Sequence, residues 1–232
     1  MAESAAVPRT KVPPRERILA VARDLFYRRG IHAVGVDSIA ESAGTNKMTL
    51  YRHFSSKDEL VAACLRAIAA EVDAKWDAIA DAHPSDPKGE LSAWLQHIGQ
   101  WFIAEAGRGC ALANAAVELP DPDHPARQVV REHKSAVRDR LGRLCRDAGL
   151  RDPDGTASQV FLICEGARVA SQSLGSDEPL THIPTLLRDL IEANTPPTRP
   201  RVERRPVERN RAEDFLGSGF SSSESNARPP RG

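Results

Sequence analysis

The chain has 232 residues, of which 41% are apolar, 28% charged and 5% aromatic, and its 32 Lys and Arg balance its 32 Asp and Glu. That length and apolar share support a buried core in one or two domains, and zero net charge excludes a molecule drawn as a whole to polyanions. No run reaches the roughly 18 uninterrupted apolar residues of a membrane span, and the opening MAESAAVPRTKVPPRER lacks the apolar centre of a secretory signal; with Cys64, Cys110, Cys145 and Cys164 scattered outside any C-x-x-C pair, the expected location is the cytoplasm, without membrane contact.

Residues 1–13 read as a flexible arm. From Pro14, apolar Ile18, Val21, Ala22, Leu25 and Phe26 fall three and four apart, which makes one face of a helix ending at Gly30. Val36 to Ala43 is a second short helix, broken at Gly44-Thr45-Asn46. A third, Lys47 to Phe54, starts at Asn46, whose side-chain oxygen suits an N-cap. Ser56-x-x-Glu59 is a capping box that opens a fourth helix running to about Ala82.

Beyond the break at His83–Pro87, Leu91, Trp94, Leu95, Ile98, Trp101 and Phe102 mark a fifth helix with a wide apolar stripe. A short helix from Cys110 to Leu119 follows, then a rigid Pro-rich turn to Pro125. A long charged helix then turns Val129, Val130, Val137, Leu141, Leu144 and Cys145 inward. Asp152-Pro153 opens a helix over about 154–174, and the last runs from Pro184 to Ala193. No alternating strand pattern, repeat or βαβ unit is present, so the expected fold is all-α with about nine helices. Residues 195–232 turn Pro-, Arg- and Ser-rich and read as a disordered tail that buries too little apolar surface to offset its chain entropy. Its arginines are expected to be solvated, with contact to DNA phosphates as the alternative.

The short helix, Gly turn and second short helix rich in Lys, Tyr, Arg and His form a helix-turn-helix, whose second helix enters the DNA major groove. Ile39, Ala43, Leu50 and Phe54 are placed to lock the pair onto the first helix. The outer face is left to Lys47, Met48, Thr49, Tyr51, Arg52 and His53. Residues 1–60 hold ten Lys and Arg against seven acids, a mild basic bias.

Residues 15–60 resemble the signature of the tetracycline-repressor (TetR) family almost end to end. The resemblance rests on Ile18-Leu19, Leu25-Phe26, Gly30, Ile39-Ala40, Ala43-Gly44, Leu50-Tyr51, His53-Phe54, Lys57 and Leu60. It implies an N-terminal helix-turn-helix domain (14–60), joined by a long helix (57–82) to a helical ligand-binding and dimerisation domain (61–194). By position, Lys47 and Met48 match places turned toward base edges, Arg52 bases or backbone, and Thr45, Tyr51, His53 and Lys57 phosphate-contacting places. Two departures change side chains near the groove: Gly35-Val36 replaces the usual hydroxyl cap of the second helix, and Thr45-Asn46 replaces Val-Ser. The implied partners are a double-stranded DNA operator, a second copy of the chain, and an unidentified small-molecule effector that releases a repressor from a palindromic site.

For the effector, Trp94, His97, Trp101 and Phe102 on one helix, with Cys110, Asn114 and Glu118 on the next, suit an apolar pocket with a few polar groups, although core packing explains the aromatics equally. Cys110 reads either as a thiol sensor activated by a neighbour such as Arg108 or as an inert buried thiol. Asp121, His124 and His133 lack metal-ligand spacing, so no metal or other cofactor is expected, and no triad or carboxylate pair is placed for catalysis. Small residues Gly166, Ala167, Ala170 and Ser171, with Phe161, Leu174, Leu187 and Leu190, suit half of an intersubunit four-helix bundle, as in the family's dimers; intrachain packing is the alternative. The rival functions are a redox regulator on the same scaffold and a helical binding protein whose helix-turn-helix no longer reads sequence.

Overall fold

The computed structural model describes residues 12–104, 109–174 and 178–197, and for 102–104 and 178–179 the backbone alone. Residues 1–11 of the expected arm (1–13) and 198–232 of the expected tail (195–232) lie outside the described residues. Among those described there are helices and no strands: nine helices of seven residues or more, and a single four-residue turn of helix. The all-α expectation holds.

Helix α1 (Pro14–Arg29) has Pro at its first turn, Glu16 near its N-terminus and Arg28 and Arg29 in its last turn, so fixed charges complement the helix dipole at both ends. Helices α2 (Val36–Ser42) and α3 (Lys47–His53) flank a turn in which Gly44 takes φ 62°, a left-handed conformation natural to glycine. The Thr45 N–H closes that turn on the Ala40 carbonyl at 2.9 Å. Arg17 fastens it to α1, its Nε donating to the Ala43 carbonyl at 3.2 Å and Nη2 to that of Gly44 at 3.5 Å.

Helix α4 (Lys57–Ala82) is capped as its sequence demands, the Glu59 N–H donating to Ser56 Oγ at 3.0 Å. Its 26 residues span about 39 Å at the α-helical rise. The remaining helices are α5 (Pro87–Ala104), α6 (Ala111–Glu118), α7 (Pro125–Asp147), α8 (Pro153–Leu174), α9 (Glu178–Thr181) and α10 (Ile183–Asn194). Pro87 and Pro153 lie inside first turns rather than in loops, because Asp86 and Asp152 accept the N–H groups of Gly89 and Gly155 at 3.0 Å and act as N-caps.

Two apolar clusters form the core. The first joins α1–α3 and the start of α4 to Leu112 and Ala115 of α6, Leu119, and Ala126, Val129 and Val130 of α7. The second gathers Trp76 of α4, Leu91 and Trp94 of α5, the later half of α7, and residues of α8 to α10. Helix α4 runs through both, so the helix-turn-helix shares its core with α6 and α7 directly.

Candidate functional site

Leu50 is wholly buried and Phe54 nearly so, and they fix which face of α3 turns outward. Lys47, Met48, Tyr51, Arg52 and His53 are exposed, with Met48 at 76%. Thr45, Thr49 and Lys57 are half-buried. Asn46 caps α3, the Thr49 N–H donating to its Oδ1 at 2.9 Å, so its carbonyl oxygen is committed to the helix. The Lys47 ammonium lies 3.1 Å from Asp37 Oδ2, an exposed pair worth about 0–1 kcal/mol and easily exchanged for another partner. Gly35 caps α2 without a side chain, in extended geometry. Arg17 is a residue the sequence reading missed; its three donors point at carbonyls of Val12, Ala43 and Gly44, a tertiary arrangement with no local pattern.

Behind the helix-turn-helix, a cavity of about 890 Å³ opens between α1, α4, α5, α6, α7 and α8. Four of the expected ligand residues, Trp94, His97, Trp101 and Cys110, line it. The side chain of Phe102 lies outside the described residues. Asn114 and Glu118 are placed elsewhere: they border a hollow of about 30 Å³ under α1. Asn114 Oδ1 accepts from Gln172 at 2.6 Å, and a Glu118 carboxylate oxygen accepts the Ile31 N–H at 2.5 Å. With His32 Nε2 2.7 Å from the Glu118 carbonyl, the end of α6 grips the loop that leads into α2. Position along α6 decides this: Cys110, at its start, borders the cavity, and Asn114 and Glu118, one and two turns on, border the hollow under α1.

The cavity has members that the sequence reading did not include. Trp76 of α4 stacks on Trp94 with centroids 4.5 Å apart and an interplanar angle of 25°. It continues the face of Ile68, Val72 and Ile79, a spacing visible in the sequence. Lys134 of α7 and Glu165 and Arg168 of α8 form a half-buried cluster: Lys134 Nζ donates to Glu165 Oε1 at 2.6 Å and Arg168 Nη1 to the same oxygen at 2.7 Å. Lys134 Nζ is also 3.8 Å from Cys110 Sγ. Burial holds His133 below its ordinary pKa of 6.5, so at neutral pH it is uncharged. Burial also pushes the thiols of Cys64, Cys145 and Cys164 up, to about 12, 11 and 11.

The residues expected at a dimer interface divide. Phe161 is half-buried and lines the cavity, and Ala167, Ser171 and Leu187 are buried within the protomer, so these last three present no free surface. Ala170 and Leu190 pack half-buried against the second core. Gly166 and Leu174 are exposed, and the same two helices expose Leu162, Val169 and Leu186, at 67%, 59% and 48%. His124, weighed earlier as a metal ligand, caps α7 through the Ala126 N–H and faces Asp58 of α4 at 3.4 Å. Among the described residues no three His, Cys, Asp or Glu side chains converge on a metal position, and no helix is long and apolar enough to cross a membrane.

A helix-turn-helix whose second helix presents basic and aromatic side chains, built onto a helical body with an internal cavity, defines a class of DNA-binding regulators. Residues 18–64 match the family model of bacterial regulatory proteins, tetR family. The transcriptional activator FasR of Mycolicibacterium smegmatis is 50% identical over 170 residues, 72% of this chain and 74% of its own. LmrA, a transcriptional regulator of Bacillus subtilis, is 25% identical over 77% of this chain and 96% of its own. The crystal structure of SCO4454, a TetR-family regulator from Streptomyces coelicolor, superposes with TM-score 0.72 at 29% identity, over 78% of this chain and 95% of that one. The chain belongs to the TetR family and is a DNA-binding transcriptional regulator.

Proposed function

We propose that the chain acts as a homodimer that holds an inverted-repeat operator with its two α3 helices and changes its grip when a small molecule fills the cavity behind them. The observation that carries this is the outward row of Lys47, Met48, Tyr51, Arg52 and His53 over the buried Leu50, backed by a cavity of about 890 Å³. In this reading residues 14–60 are the DNA-binding part and 61–194 the ligand-binding and dimerisation part. Lys47 reads a guanine edge beside Met48, Arg52 reaches a base or the backbone, and Tyr51, His53, Thr45 and Lys57 hold phosphates, with Asn46 and Thr49 supporting the N-terminus of α3. The partner copy docks on the exposed faces of α8 and α10, at Leu162, Gly166, Val169, Leu174 and Leu186, rather than on the inward residues Ala167, Ser171 and Leu187.

Ligand binding acts only through a difference in affinity between the DNA-competent and DNA-incompetent states. Glu118 and Arg127 supply a mechanical link: Glu118 holds the α1–α2 loop, and Arg127 Nη1 donates to the carbonyls of Ala116 and, at 3.2 Å, Leu119. We infer repression relieved by the effector; the name of FasR as an activator favours the second reading, in which the bound dimer promotes transcription. A thiol switch at Cys110 is supported by the proximity of Lys134 and is distinguished by loss of response in Cys110→Ser alone.

The test of base reading is Lys47→Ala against duplexes recovered from a random-sequence pool. The variant is expected to lose about 1–3 kcal/mol and to relax preference at one base pair, whereas Tyr51→Phe and Lys57→Ala weaken all duplexes alike. An unchanged preference ratio in Lys47→Ala overturns the assignment.

A further inference from the structure

The walls of the cavity are largely apolar and aromatic, and its charged groups fall into two sets. Arg23, Asp24, Glu71 and Lys75 line the side of α1 and α4, where the paired Arg23 and Glu71 side chains are 37% and 59% exposed, whereas Lys134 and Arg168 meet Glu165 on α7 and α8 with side chains only 17%, 19% and 27% exposed, the less solvated set. Both cations donate to one oxygen of one carboxylate. The Lys134 ammonium carries three N–H donors, of which Glu165 takes one, while the Cys110 sulfur at 3.8 Å is a weak acceptor. A partly desolvated ammonium with donor capacity left over favours an anionic acceptor more strongly than a solvated one does.

The aromatic faces give the opposite half of the argument. An aromatic-walled cavity is a natural host for a cationic ligand, because ring faces attract positive charge. Here the protein fills that role itself. The Arg168 guanidinium lies 5.4 Å over the Trp101 ring, the Arg140 guanidinium 5.0 Å over Trp76, and Lys134 Nζ 6.0 Å over Phe161. Lys134 and Arg168 line the cavity, so a ligand cation entering would meet like charge at Phe161 and Trp101.

We propose that the cavity takes an organic anion, a molecule with an apolar body and one carboxylate, whose acid group docks on Lys134 at the Lys134–Glu165–Arg168 cluster while its body lies against Trp76, Trp94 and Trp101. The proposal rests on reading the cavity as the effector site. It names the ligand class that this site selects, and it assigns to Lys134 the discrimination between anion and neutral isostere.

The chain has three tryptophans, and all three line the cavity, so intrinsic tryptophan fluorescence reports occupancy of this site. Three transparent probes share one body: 4-cyclohexylbutanoate, 4-cyclohexylbutan-1-ol and 4-cyclohexylbutylammonium. Titrated into the full chain without DNA, the acid is expected to bind at least tenfold tighter than the alcohol, and the ammonium more weakly than the alcohol. Lys134→Met is expected to bring acid and alcohol to near-equal affinity, and Lys134→Arg to keep the preference, with circular dichroism confirming that both fold. Equal binding of acid and alcohol to the wild type, tightest binding of the ammonium, or binding of none of the three overturns the proposal. Tight binding of the acid with no change in operator affinity supports the ligand class and contradicts the effector reading, so the two failures are separable.

Discussion

Cys110 differs from the other three thiols in its surroundings: it borders the cavity half-exposed, whereas burial pushes those of Cys64, Cys145 and Cys164 to about 12, 11 and 11. Alkylation by iodoacetamide at pH 7.5 is therefore expected to modify Cys110 first and to be lost in Cys110→Ser, because thiolate is the reacting form. Faster labelling at Cys64 than at Cys110 contradicts this ordering. His133 supplies a pH dependence. Burial disfavours its charged form, Lys134 and Arg168 act in the same direction, and Asp73 and Glu165 oppose them. Its folded pKa lies below 6.5, so the unfolded chain binds the proton more readily between the two values, and stability falls as pH drops through that window. Thermal denaturation between pH 7.5 and 5.5 is expected to show this loss, and His133→Gln to flatten it. At this scale apolar periodicity marks Trp94 and Trp101 in the sequence, and His97 and Cys110, expected beside them as polar groups, line the same cavity. The sequence concealed Lys134, Glu165 and Arg168, because charges on long helices read as solvated faces, and the pairing of Lys134 with Glu165 spans 31 residues of chain.

Helix boundaries were legible at Asn46 before α3 and Ser56 before α4, but not at Asp86, whose cap puts Pro87 in the first turn of α5 and not in the break. The four-residue α9 carries too few residues to show a period, and it went unread. Helix faces were harder. Gly166, Ala167, Ala170 and Ser171 are all small, so sequence alone does not say which of them looks outward; packing on α7 and α10 turns Ala167 and Ser171 in and leaves Gly166 out. Glu118 lies two turns along α6 from Cys110 and borders the hollow under α1 instead, because the sequence does not say where along a short helix a cavity ends. Replacing it with Ala removes the acceptor of the Ile31 N–H and is expected to cost about 1.5–3 kcal/mol, read as a lower midpoint in urea. Gly35 offers the reverse case. It caps α2 in extended backbone, with nothing within 4 Å of where a Cβ would sit. Gly35→Ser is expected to raise stability by a few tenths of a kcal/mol, through a side-chain acceptor for the first turn and a less flexible unfolded chain. A lower urea midpoint for this variant would show that the site is not open.

At the scale of the molecule, the two apolar clusters make the helix-turn-helix and the cavity neighbours rather than tethered units: α4 runs through both clusters, and α6 borders the cavity at its start, beside Cys110, and holds the loop before α2 at its end, through Glu118. The match over 15–60 implies a two-part organisation, but the sharing of the first core with α6 and α7 depends on contacts distant in the chain. One recognition helix seldom gives both affinity and specificity, so the account requires two, held by a partner docked on α8 and α10. Val169 is the position to disturb, because it is 59% exposed and its change to Glu leaves the protomer core untouched. Val169→Glu is expected to sediment as a monomer and to lose most of its operator affinity. The central claim, that paired α3 helices read one face of the DNA, is tested most directly by hydroxyl-radical footprinting of the wild-type chain on a duplex selected from a random pool. Two protected half-sites in inverted repeat are expected, with centres about 34–36 Å apart or near a multiple of that spacing. A single protected half-site, with Val169→Glu binding as tightly as the wild type, would contradict the claim.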